Sequence, residues 1–509
     1  MSALRILIPT TQCSSELKEW RVFLTFVAGL SLAACSGPGR FVTGGNRGSG
    51  TGLIVTLRAT PLSPPSKTNL LAFSTTVVGI SLTPSTGGSV SVPLNSDLYR
   101  VDLTRLQSDT AFLAFSSAIP VGTYTSMVIS LSNPTVTFCT QTQGITGCAK
   151  GSVSTLSGGP AIQVISAAPF PLVVTRGQSI GLAVSISVAN ALTINEQTQA
   201  IAGVNLGAAD VLTVGMLPPP SSSLPSSALE FIEDVTGVVS SVDAASQSVT
   251  IETATKGSIT AIAGSSTTVS PNCTTFNLGS TFTCAKQGQV ASLETVLNPD
   301  GTFALLEYDP LGITPGDWIE GVIALPPSSS TQFQLVTIDL VLPPARSLIG
   351  NNLELGAPVS VTLVNPEPFV VDTKGLVVPN STFSGATDAS VLTPGQTLAV
   401  HVVSFTGASG ATPAAASVDF VYLRFTRVPG SVASPAPPST FTMQSFPSFF
   451  GLTVPATVQL SSGSNFDGIT VAGDLVSGQT ASIRALYFGP PTGPAPTPTP
   501  FSAAKVRIH

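Results

Sequence analysis

The sequence predicts an all-β protein: an antiparallel β-sandwich followed by three small β-barrel-like repeats. Three observations predict this. Only 9% of residues are Asp, Glu, Lys or Arg, against about 25% in an average globular chain, and small and β-branched residues take their place. Short runs rich in Val, Ile and Thr alternate in polarity between Gly, Pro, Asn and Ser punctuation. An arrangement of strand, strand, turn and strand recurs three times in the C-terminal half. The mean hydropathy of +0.42 would also suit a membrane protein. However, no stretch after residue 35 offers the ~20 uninterrupted apolar residues of a spanning helix. The best candidate, 172–194, alternates and contains Arg176 and Gly177.

In chain order, the first element is "EWRVFLTFVAGLSLAACSGPG". Lys18 and Arg21 precede an apolar run, Val22 to Ala34, that is short and ends in small residues, as an export signal over 1–34 does. Leu32-Ala33-Ala34-Cys35 resembles the bacterial lipobox. That resemblance implies cleavage before Cys35, a diacylglycerol on its thiol and an acylated new N-terminus, so that lipid holds the protein to a membrane without a spanning helix. Ser36 resembles the residue found after the lipidated cysteine in outer-membrane-sorted lipoproteins. Residues 35–50 read as a Gly-rich tether. Export permits disulfides. Cys13 leaves with the signal, and four cysteines remain as two local pairs, Cys139 with Cys148 and Cys273 with Cys284. Four cysteines allow three connectivities; local pairing is expected because each pair brackets a Gly-containing turn. Neither spacing is that of a zinc site.

Residues 51–215 read as the sandwich, with strands such as "LIVTLRA", "TTVVGISLTP", "YTSMVISLS" and "IGLAVSISV" and one helical turn in "DLTRLQSDTAFL". The stretch 99–131 carries Val101-Asp102-Leu103, Leu106 and the turn Ile119-Pro120-Val121-Gly122-Thr123-Tyr124-Thr125. These segments resemble a family of bacterial lipoprotein domains of unknown function, which implies a prealbumin-like β-sandwich. The family's Asp-containing opening segment is replaced here by "RATPLSPP", so no role for that aspartate carries over.

A Pro/Ser linker, 216–228, precedes repeats at 229–312, 313–427 and 428–509. Each repeat opens on a Gly-led strand (Gly237, Gly321, Gly430), then has a second strand, then a Gly-Gln turn: Gly288-Gln289, Gly395-Gln396, Gly478-Gln479. The glycine suits the positive-φ position of a type II turn. "TPGDW" at 314–318 competes for the register of that turn. The layout resembles a second bacterial family of unknown function, small exported barrel-like modules found in tandem, and a closed barrel similar to an OB-fold is the expected form.

Catalytic patterns are scarce. No G-x-S-x-G or H-E-x-x-H occurs, and His401 is the one internal histidine. The sixth residue after each turn glycine is Glu294, His401 or Arg484, which predicts that His401 lies on the polar, solvent-facing side of a strand. Carboxylate neighbours (Glu307 and Asp309; Glu230, Glu233 and Asp234) could serve glycoside hydrolysis, but chance proximity explains them. "NPDGTFALLEYD" (Asn298, Asp300, Asp309) reads as a tight turn rather than a calcium loop. "FTMQSFPSFFGL" (441–452) reads as core rather than an exposed patch, and Trp318 is the one tryptophan left after signal removal. The 20 Lys and Arg form no basic stripe, which argues against nucleic acid. The expectation is an exported, lipid-anchored envelope or cell-surface protein with a structural or binding role. It needs no cofactor, metal or catalytic residue; its partners are the membrane through its lipid and an envelope protein or glycan. The alternatives are an envelope hydrolase acting on carbohydrate and an outer-membrane β-barrel, which would want aromatic girdles.

Overall fold

The computed structural model describes residues 52–62, 68–97, 99–140, 146–217, 228–269, 285–312, 316–344, 346–371, 373, 376, 378, 382–435, 439–490 and 499–509. The export signal, Cys35, Cys273 and Cys284 lie outside them. Residues Asn46–His509 form one unit.

The N-terminal module is a sandwich of two sheets. In the first, Gly52–Thr60 lies between Ala111–Ser116 and Ser179–Ser187, and Leu212–Met216 closes the far side. The pairing of Gly52–Thr60 with Ser179–Ser187 is parallel; the other pairings of the two sheets are antiparallel. The second sheet is built on two long strands, Thr68–Pro84 and Gly122–Thr140. Alternate residues such as Leu53, Val55, Leu57, Phe73, Leu82 and Ile129 fill the space between the sheets, as the period-2 pattern requires. Two motif residues have clear local duties. Asp102 accepts from the backbone N–H and hydroxyl of Thr104, at 2.7 and 2.5 Å, and so fixes the entry to a short helical turn, Arg105–Gln107. Tyr124, buried, donates its hydroxyl to the Pro120 carbonyl at 2.8 Å and locks the Pro-x-Gly-x-Tyr turn from inside.

Three barrels follow, each built on a circuit of five strands; the second carries a sixth, Val370–Val371, beside its last strand. Barrel 1 has strands Glu230–Asp243, Ser248–Thr253, Gly257–Val269, Val290–Leu297 and Phe303–Gly312; barrel 3 has Thr426–Ser434, Thr440–Gln444, Ala456–Asp467, Thr480–Tyr487 and Phe501–Ile508. Each closes in the order 1-2-3-5-4, with strands 3 and 5 parallel. Barrel 2 has Asp317–Ile323, Gln332–Val341, Pro358–Leu363, Thr397–Thr406 and Ala414–Arg424, and the parallel pairing of its third and fifth strands closes the same circuit. This is the connectivity of an OB-like Greek-key barrel. Thr314 and Pro315, the start of "TPGDW", lie outside the described residues; Asp317 and Trp318 begin the first strand of barrel 2 and belong to no Gly-Gln turn.

The Gly-Gln turn does the same work in all three barrels. The glycines have φ of +85°, +97° and +88°, values open to Gly at little cost. Each glycine N–H donates to a first-strand carbonyl: Gly288 to Val239, Gly395 to Ile323 and Gly478 to Val432, at 2.8, 2.9 and 2.8 Å. Each of those first-strand residues returns its N–H to the glutamine carbonyl. The glutamine side chain then accepts from the backbone N–H three residues earlier, at Lys286, Thr393 and Val476. The turn is thus a clip joining the first and fourth strands.

Candidate functional site

The charges that are so scarce in the sequence converge where the sandwich meets the barrels. Three residues before the Gly of each first strand stand Asp234, Trp318 and Arg427; six after each turn glycine stand Glu294, His401 and Arg484. The register makes these cross-strand neighbours. Trp318 faces His401 and Arg427 faces Arg484, while Asp234 sits in a bulge of the first strand beside Glu294. One spot on the barrel therefore carries two acids in barrel 1, two aromatic rings in barrel 2 and two guanidinium groups in barrel 3. Like charges directly opposite each other destabilise a sheet, so barrels 1 and 3 each carry a local defect that the other relieves.

The two faces meet. Asp234 Oδ2 accepts from Arg427 Nη2 at 2.7 Å and from Arg484 Nε at 3.0 Å, and its Oδ1 from Arg424 Nη2 at 3.1 Å. Arg484 also pairs with Glu294, and Arg424 donates to Ser292 Oγ at 3.0 Å. Asp234 is 1% exposed and Arg424 0%. Asp234 also has φ of +50°, a left-handed conformation that costs a non-glycine residue on the order of 1 kcal/mol or more and that three arginines hold in place. Arg484 further stacks over the Phe425 ring at 4.4 Å.

The sandwich and barrel 2 complete the junction. Arg427 Nη2 reaches Asp109 Oδ2 of the sandwich at 2.6 Å. Arg105 Nη1 lies 2.8 Å from Asp339 Oδ2 and 3.4 Å from Glu320 Oε1, both of barrel 2, and Lys256 Nζ of barrel 1 reaches Asp339 Oδ2 at 2.6 Å. Arg105, Lys256, Arg424, Arg427 and Arg484 thus face Asp109, Asp234, Glu294, Glu320 and Asp339, five charges against five. Desolvating an ion costs several kcal/mol unless partners and hydrogen bonds compensate; the balance of charge supplies partners throughout, although, among the described residues, Glu320 is held by ion pairs of 3.4–3.8 Å alone. Burial would raise the Asp109 carboxyl, but Arg427, Arg484 and Arg105 outweigh it and hold the group below its ordinary value. Burial likewise opposes the ionised form of Asp339, and Lys256 and Arg105 outweigh it. Asp102 is the converse case: burial pushes it up in spite of its hydrogen bonds from Thr104.

A second clamp lies alongside. Arg507 of barrel 3 binds Asp467 Oδ2 at 2.7 Å and donates to the sandwich carbonyls of Leu106 and Asp109 at 3.0 and 2.8 Å. Arg58 of the sandwich pairs with Glu230 of barrel 1. His509 is exposed as a residue, but its ring lies beside this clamp, with Nε2 2.9 Å from Ser482 Oγ; desolvation of the ring and then the Arg507 charge push its imidazole down to about 3.

The structure corrects the expectation for His401. The residue is 7% exposed, not on a solvent-facing side. Its Nδ1 lies 2.7 Å from Asp419 Oδ1, its ring is 5.4 Å from that of Trp318, and a Cβ at Gly316 would come within 2.3 Å of its Nε2. The polar side of this strand is packed rather than solvated: Trp318, Asp419 and Gly316 of the same barrel surround His401. The fourth strand of barrel 1 is buried at every residue.

Other sequence-derived sites are placed as follows. Cys139 and Cys148 are bonded, with Cα atoms 5.8 Å apart, and the bridged loop docks on both later barrels: Cys148 N–H donates to Ala324 O and Gly147 N–H to Phe449 O. Phe441, Phe446, Phe449 and Phe450 are core. Of the carboxylate candidates, Glu230 is held by Arg58, and Asp234 by its arginines. Glu307 stands opposite Glu294, and Asp309 opposite Ser292. Asp300 is turned into its own tight turn by Thr302, with Gly301 at φ +80°. Among the described residues no group of three or more His, Cys, Asp or Glu is placed to hold a metal. Cavities of about 50 and 40 Å³ border Arg105, room for a few water molecules.

No family model and no curated protein matches the chain. Among solved structures, drosophila Unr CSD456 is similar over 54% of this chain and 95% of its own length, at 8% identity and a TM-score of 0.11; a likeness at that score carries no argument about function.

Proposed function

We propose that this chain is an exported, lipid-anchored, non-catalytic protein of the cell envelope, whose role is structural or binding. The observation that supports a non-catalytic role most is the junction itself. Ten charged groups from four modules are committed to one another, so they fix how the modules sit and are not aimed at a substrate. Acid–base catalysts need a group poised to exchange its proton with a bound molecule. Here Asp234, Glu294 and Asp109 are engaged by guanidinium groups instead. The lipobox-like Leu32-Ala33-Ala34-Cys35 supports anchoring. The expected result is that the wild-type chain partitions into detergent and incorporates labelled fatty acid, while Cys35→Ala does neither. A Cys35→Ala chain that still partitions fully would overturn the anchor.

A further inference from the structure

One face of the sandwich is divided between two environments. The outer side of the Thr68–Pro84/Gly122–Thr140 sheet is covered by the barrels at one end. There Leu71 and Ala72 are 2% and 0% exposed, Ser74 Oγ donates to Leu355 O, and Thr137 Oγ1 donates to Gly356 O at 2.6 Å. Toward the other end the cover stops. Val78, Val121, Ile162, Val164 and Val173 are 44%, 59%, 71%, 62% and 59% exposed. Val164 lies opposite Val128, Ile162 opposite Ser130 and Val173 opposite Thr123, so these residues form a row along the edge of the sheet. Single exposed valines are ordinary; a row of them marks an interaction surface.

The uncovered end is also the end at which the chain enters the fold. Gly52 pairs with Ser179, and Leu53 with Ser116. Loop 117–121 leaves Ser116 and returns as Gly122, opposite Val174, and loop 175–178 joins Val174 to Ser179. With loops 85–89 and 166–171, this end has a single charged residue, Arg176, which is exposed. The exposed acids of the sandwich module, Asp97, Glu196 and Asp210, lie on other loops. The neighbouring acid of barrel 1, Asp300, is engaged by Thr302.

We propose that this end of the sandwich rests on the surface of the bilayer that holds the lipid of Cys35. The proposal depends on the lipid-anchor reading. Gly52 follows Cys35 by 17 residues, a length that corresponds to roughly 20–25 Å for a Gly-rich coil, so an anchored chain keeps this end close to headgroups. Aliphatic side chains can enter the interfacial layer, while Arg176 meets lipid phosphate.

The test uses the full lipidated chain on vesicles of phosphatidylethanolamine and phosphatidylglycerol carrying brominated acyl chains. Val173→Trp places a fluorophore at the proposed contact, and Val476→Trp, at a site 58% exposed on barrel 3, serves as control. Flotation reports the anchor; quenching reports the contact. The expected result is co-flotation of both variants, with quenching at position 173 at least twofold greater than at 476. Co-flotation with equal quenching would overturn the docking and leave the anchor standing. Failure of the wild-type chain to float would overturn the anchor and the docking with it.

Discussion

Barrels 1 and 3 differ from barrel 2 at one equivalent spot, and the difference shows what sets side-chain chemistry on a repeated scaffold. Asp234 and Glu294 in barrel 1 meet Arg427 and Arg484 in barrel 3. In barrel 2, the Trp318 and His401 rings meet at a tilt of 51°, and Trp318 packs with Val238, Val290 and Leu311 of barrel 1. All three barrels keep the same strand circuit and the same Gly-Gln clip. What covers the spot decides its chemistry: an apolar neighbour selects rings, and a charged neighbour selects its complement.

The largest expected effect comes from breaking the charged pair of faces. Asp234→Ala leaves three buried arginines without a shared acceptor and should cost about 3–5 kcal/mol, read from urea or thermal unfolding. Acid should act in the same direction. The His509 imidazole is depressed to about 3; the unfolded chain takes up that proton from near pH 6.5 downward, so stability falls across the window from 6.5 to 3. Asp109 and Asp339, both held below their ordinary value, contribute stability above about pH 4 that is lost further into acid. Asp102, raised by burial, works the other way and softens the loss. Unfolding midpoints should therefore decline on acidification from pH 7, and His509→Gln should flatten the upper part of that decline.

Gly395→Ala comes next, at about 1–3 kcal/mol: its φ is +97°, and an added Cβ would sit 2.6 Å from the Phe450 ring. A cycle of Glu294→Arg, Arg484→Glu and their double variant sharpens the comparison by returning a coupling of roughly 0.5–3 kcal/mol, with the double variant more stable than the sum of the singles. The smallest effect is expected in barrel 2. His401→Gln loses a contact to the half-exposed Asp419 and should cost about 1 kcal/mol, measured by the same unfolding assay. A cost there equal to that of Asp234→Ala would end the distinction between the two kinds of face.

Much of the fold was legible in the sequence, because strand periodicity and turn residues act locally. Gly237, Gly321 and Gly430 marked the first strands, and the Gly-Gln pairs marked the clips, each within about ten residues of the element it defines. The junction was harder to see. Counting from the turn glycine placed Glu294, His401 and Arg484 at one position, but whether that position faces water depends on modules 100 or more residues away. A signal existed: acids at the equivalent positions of one repeat and arginines at those of another, in a chain with few charges. Arg105 and Asp109, on the sandwich, had no repeat to compare with and left no such trace.

Barrel 2 passes into barrel 3 through a single residue, Phe425, between strands ending at Arg424 and starting at Thr426. Asp234 thus waits 190 residues for Arg424 and 250 for Arg484. At a synthesis rate of roughly 5–20 residues per second, the acid pair of barrel 1 stays without its guanidinium partners for about 10–50 s. Barrel 3 thus completes a junction that barrel 1 opens, and these contacts form only once both barrels are made.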